Sequence, residues 1–134
     1  MSITVLRQTS TVSGLQAQGT PARPKSEPPC RLSGIDVVLE GAGDNDCGVW
    51  ECTPGRFERQ LEQAEVMHIV AGRGAFTPVA GETIEFRAGD TLFFPAHTRG
   101  VAHRRDAAQG VRGDGSGLRP VNTIGGLTPG AQRA

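Results

Sequence analysis

Between Cys47 and Phe94 the chain runs through six short apolar-rich segments separated by glycine and proline punctuation. They fall at about Cys47–Cys52, Phe57–Leu61, Glu65–Ala71, Gly74–Pro78, Glu82–Arg87 and Thr91–Phe94. Segments this short, with turn signals this regular, predict an all-β sandwich or barrel. Gly72-Arg73-Gly74, Ala80-Gly81-Glu82 and Ala88-Gly89-Asp90 read as tight hairpin turns. No stretch carries a helical period of useful length. Trp50 and all five phenylalanines lie between positions 50 and 94, so the packed core should centre there.

The flanks differ from this window. Residues 1–29 read as an N-terminal arm or linker, with four prolines between Gly19 and Pro29 suppressing helix and central strand. Arg31 to Glu40 reads as a first strand, followed by a Gly/Asn/Asp turn to Asp46. The barrel is predicted over 30–101. Residues 102–134 contain seven glycines, no aromatic residue and no period-two pattern, and read as a divergent, disordered tail.

With 134 residues the chain fits one domain, and its formal charge is balanced. That balance argues against a nucleic-acid or membrane partner recruited by bulk charge. No apolar run approaches a membrane span, and Met1–Leu15 lacks the apolar core of a secretory signal, so a cytoplasmic location is the default expectation. Cys30, Cys47 and Cys52 form an odd set without a CxxC pair, which predicts packed thiols rather than disulfides or a zinc site.

Three motifs carry a resemblance: Gly48-Val49-Trp50-Glu51-Cys52-Thr53-Pro54-Gly55, Glu65-Val66-Met67-His68-Ile69-Val70-Ala71-Gly72 and Ala88-Gly89-Asp90-Thr91-Leu92-Phe93-Phe94-Pro95. Over roughly residues 30 to 100 the chain resembles the cupin superfamily, in particular proteins similar to the cupin domain of (S)-ureidoglycine aminohydrolase. The resemblance implies a small jelly-roll β-barrel, incomplete at its C-terminal end. It also implies metal-dependent chemistry on ureido or amino compounds where the ligand histidines are kept. Here Gly55, Gly72, Gly89 and Pro95 match the family's scaffold positions, and Glu65 matches its carboxylate. Arg59, Leu61 and Gly100 stand where the resemblance places ligand histidines, and His97 stands where a glycine is common. One carboxylate does not make a transition-metal site, so no metal and no cofactor are expected.

Period two turns Glu65, Met67 and Ile69 inward, opposite Phe57, Arg59 and Leu61 on the neighbouring strand. Arg59 beside Glu65 predicts a half-buried ion pair, or a guanidinium fork for a carboxylate or ureido oxygen of a small polar ligand. Glu65 and Met67 join Arg59 as candidate ligand-binding residues. His97, in the loop after Pro95, is the fourth, placed for proton transfer at the barrel mouth. His68 is expected outside the pocket, and Trp50 in the core or at a homodimer contact.

Three functions compete. One is a metal-free cupin binding a small polar metabolite or serving an accessory role. The second is a metal-dependent enzyme on ureido or amino compounds, and the third a non-functional, frameshifted cupin. The last follows from the change at Gly100, after which relatives usually continue with Val-Trp and an Arg-Lys-Val-Tyr strand. Deleting one GT unit from a GTGTGG coding Val-Trp turns such a sequence, with ordinary codons, into this chain from Gly100 to Asp114. On that reading the closing strand is lost and open edges promote aggregation.

Overall fold

The computed structural model describes residues 3–41, 43 and 45–115. After a single 3-10 turn at Thr9–Thr11, the chain forms ten strands: β1 (Gln16–Gly19), β2 (Leu32–Val37), β3 (Asp46–Cys52), β4 (Gly55–Leu61), β5 (Glu65–Ala71), β6 (Arg73–Pro78), β7 (Ile84–Arg87), β8 (Thr91–Phe94), β9 (Thr98–Arg104) and β10 (Ala108–Asp114). They make two antiparallel sheets, ordered β1-β2-β3-β10-β5-β8 and β4-β9-β6-β7. Among the described residues no helix is long and apolar enough to cross a membrane.

From β3 onward the chain passes from one sheet to the other at nearly every connection. This corrects two of the expected turns. Gly72 links β5 to β6 and Gly89 links β7 to β8, yet in each case the two strands belong to opposite sheets. Both glycines are therefore corners rather than hairpin tips, with φ of 81° and 99°. Gly81 does sit in a hairpin, since β6 pairs directly with β7.

The larger correction concerns the C-terminal segment. The expected tail from residue 102 instead completes β9 and supplies β10, and β10 is an inner strand paired with β3 on one side and β5 on the other. The closing strand is therefore present, and the incomplete end is not observed. Its glycine-rich sequence is poor in β propensity, but ladder hydrogen bonds on both flanks compensate. At Gly110 a side chain would force a shift of its surroundings, because a Cβ there would sit 2.5 Å from the Trp50 ring. Residues 116–134 lie outside the described residues.

The N-terminal arm is docked on both sheets. β1 pairs with β2, and farther along Pro24 bridges to Phe57 at the edge of the four-stranded sheet. Lys25 and Glu58 donate backbone hydrogen bonds to Arg56 and Arg23 along the same edge. Between the sheets lies the apolar core, with Cys30, Cys52, Phe57, Met67, Ile69, Phe76, Phe86, Phe94 and Ala102 buried together. The rings of Phe76 and Phe94 meet edge to face at 5.3 Å.

Candidate functional site

Strand alternation in β4 and β5 turns Arg59 and Glu65 into the space between the sheets, as the period-two pattern predicts. Glu65 is 2% exposed. The guanidinium of Arg59 grips it through both oxygens, with Nη1 donating to Oε2 at 2.7 Å and Nη2 to Oε1 at 2.8 Å. The same guanidinium lies 5.8 Å from the centre of the Phe94 ring. Two of its five N–H donors are thus committed, and 22% of the side chain is exposed.

Of the other expected site residues, Met67 is packed into the core below the pair. His97 occupies the turn between β8 and β9 at a left-handed φ of 65°, exposed to solvent. The register puts this turn at the same end as the ion pair, because Glu65 opposes Phe94 and Leu61 opposes Thr98. Among the described residues no hydrogen bond or ion pair joins His97 to either member of the pair. His68 faces outward, its Nδ1 2.8 Å from the Thr91 hydroxyl.

The mouth holds a second charged cluster that sequence reasoning missed, because it lies on β10. Arg112 Nη1 donates to Asp114 at 2.7 Å and Nη2 donates to Asp36 at 3.1 Å. Asp114 lies directly across the ladder from Glu65. Burial raises the Asp114 pKa from its ordinary value, with the Glu65 charge adding to the rise and Arg112 opposing it. No local signal marked it, since a period-two pairing of Arg112 with Asp114 has meaning only once the segment is known to be a strand.

Nothing here resembles a cupin metal centre. Arg59 occupies the space beside the carboxylate, and a guanidinium has no lone pair to offer a metal. Among the described residues no three His, Cys, Asp or Glu side chains converge on a point that could hold an ion. The residues present do not fit the metal that the superfamily resemblance implies.

The opposite end of the barrel is closed and chemically distinct. Arg104 on β9 is 5% exposed, and its guanidinium carbon lies 4.9 Å from the ring of Trp50, 5.5 Å from Phe57 and 5.7 Å from Phe86. Burial lowers its pKa, with the nearby Arg59 charge adding to the effect. The adjacent Cys52 thiol is pushed up to about 12 by burial, the Arg104 charge opposing and Cys30 reinforcing the rise. Cys52 is therefore a neutral thiol at ordinary pH.

Concavities among the described residues include two on the surface. One of about 390 Å³ lies against Arg73, Glu85, Phe86 and Arg105 at the closed end. The other, of about 330 Å³, lies on the outer face of the four-stranded sheet between Arg56, Thr77, Val101 and His103. Neither is lined by Arg59 or Glu65.

Solved structures with the same fold include EutQ from Clostridium difficile, at 18% identity and a TM-score of 0.58, covering 65% of this chain and 64% of that one. A Pseudomonas syringae pv. tomato protein of unknown function aligns at 19% identity and a TM-score of 0.69, over 78% of this chain and 45% of its own. Ectoine synthase from P. lautus aligns at 13% identity and a TM-score of 0.61, over 92% and 83%. The chain thus spans less than two thirds of the C. difficile EutQ protein. No curated protein sequence matches it. The sequence pattern of the EutQ-like cupin domain matches residues 39–109, more than half of the chain; strands β3 to β9 lie inside that span and β10 begins in it. The chain belongs to the EutQ-like cupin domain family.

Proposed function

We propose that this cupin binds a small polar metabolite at the mouth framed by Arg59, Glu65 and His97, without a histidine-ligated metal. The observation that carries the reading is the bidentate Arg59–Glu65 pair. A guanidinium fixed by a buried carboxylate keeps three N–H donors in a set orientation, which suits a planar carbonyl or ureido oxygen. Met67 serves as the apolar floor beneath the ligand. An accessory role within a homodimer belongs to the same reading, supported by the exposed Phe93 on the edge strand β8.

The finer alternative, a metal-dependent enzyme on ureido or amino compounds, needs a bound ion. Elemental analysis of the purified protein separates the two, and the expected result is no stoichiometric manganese, iron, nickel or zinc. Binding is tested by calorimetry with N-methylurea as a neutral ureido probe. We expect millimolar binding that weakens at least about tenfold in Arg59→Lys, which keeps the charge and loses the planar fork. Equal binding by both proteins, or about one metal ion per chain lost in Glu65→Ala, overturns the reading.

A further inference from the structure

At the closed end of the barrel two buried donors have no acceptor. Arg104 Nε and Trp50 Nε1 each lack a hydrogen-bond partner. Their side chains are stacked together, and Phe57 and Phe86 complete an aromatic wall around the guanidinium. Among the described residues no carboxylate lies within ion-pair distance of Arg104, whereas Arg59 at the mouth is neutralised by Glu65.

Aromatic faces attract a cation but leave its charge and its N–H groups unanswered. Buried charges are ordinarily paired, and a buried donor without an acceptor carries its full desolvation cost. Among the described residues the titratable groups of opposite sign felt by Arg104 are the Cys52 and Cys30 thiols, and the Cys52 thiol stays protonated. What the cluster lacks is one negative charge that can accept from two directions.

We propose that the closed end of the barrel is a binding site for one small carboxylate, anchored by Arg104 and by the Trp50 indole N–H. Two carboxylate oxygens answer the two orphaned donors, and the carbon substituent meets the Phe57 and Phe86 rings. The concavity of about 390 Å³ reaches Phe86 from outside, which makes that ring the barrier between solvent and the guanidinium. This site is separate from the mouth, since Arg104 pairs in register with Gly55 and Gly74 while Arg59 pairs with Gly100.

Trp50 is the sole tryptophan of the chain, so its emission reports on the site alone. The full-length protein is titrated with formate and with propionate replacing chloride at constant ionic strength and pH. We expect a saturable change in Trp50 emission and a rise of several degrees in melting midpoint with either anion. Arg104→Met should abolish both responses, and Arg99→Gln, at an exposed arginine on the same strand, should leave them intact. Arg104→Lys keeps the charge without the Nε–H and should weaken the response at least tenfold while unfolding stays cooperative, so the test survives a poorly folding Met variant. An unsaturable response, one unchanged in either Arg104 variant, or an Arg104→Met protein that melts above an anion-insensitive wild type overturns the proposal. N-methylurea binding at the mouth is read separately, so either site can fail without the other.

Discussion

At the scale of single residues, the Arg59–Glu65 pair decides how far the mouth tolerates change. Glu65 is almost wholly enclosed, so removing its partner leaves a buried carboxylate without its hydrogen-bonded counter-charge. Arg59→Met alone should cost about 3–5 kcal/mol in urea unfolding, while Arg59→Met with Glu65→Leu should recover most of that loss. A single variant as stable as the parent would mean the pair is solvated. His103 offers a second measurement. Burial, with Arg105 and Arg56 nearby, lowers its pKa from the ordinary 6.5. The fold therefore disfavours the protonated ring, and the stability present above pH 6.5 is lost as pH falls through 6.5 towards the lower folded value. His103→Gln should flatten the stability profile in that window, and an unchanged profile would remove His103 as the cause. Both side chains of the ion pair were legible in the sequence because period two fixes which way a strand residue points. Arg104 was not, since nothing local in Ala102-His103-Arg104-Arg105 distinguishes an arginine turned into the core from one turned to water.

At the scale of elements, the segments with strong β formers were readable close to their limits. Glu65–Ala71 and Thr91–Phe94 occupy the spans that the pattern predicts. Strand β10 was not readable, because Ala-Gln-Gly-Val-Arg-Gly-Asp has neither alternation nor propensity, and its conformation is imposed from both sides by β3 and β5. The crossings at Gly72 and Gly89 were missed for a related reason: a glycine turn looks the same whether the next strand pairs with the last or passes to the other sheet. The weakness of β10 predicts where stability can be gained. Gly113 has open space where a Cβ would stand, and its φ is not one that disfavours a side chain. Gly113→Thr should therefore stabilise the protein by ~0.5–1 kcal/mol, by restricting the unfolded chain and adding β propensity. Gly110→Ala should do the reverse, since the new methyl would press on the Trp50 ring. A melting midpoint that moves in the same direction for both would contradict the packing around β10.

At the scale of the whole molecule, the position of β10 changes what the C-terminal region means. An appended tail can be lost without consequence, whereas an inner strand cannot. Removing β10 would leave β3 and β5 with facing unpaired backbone groups, take Arg112 and Asp114 from the mouth, and uncover Trp50 at the closed end. It would also split the six-stranded sheet into β1-β2-β3 and β5-β8, each with a new open edge prone to intermolecular pairing. Both candidate sites therefore depend on a segment whose composition alone reads as dispensable. A chain ending at Ala107 keeps β9 whole and should show no cooperative thermal transition and should aggregate, with the emission of Trp50 shifted towards that of a solvated indole. A chain ending at Gly115 keeps every described strand and should retain a single cooperative transition. If the shorter chain melted cooperatively at the parent's midpoint, β10 would not be a structural strand, and the mouth cluster and the enclosed Arg104 site would both have to be abandoned.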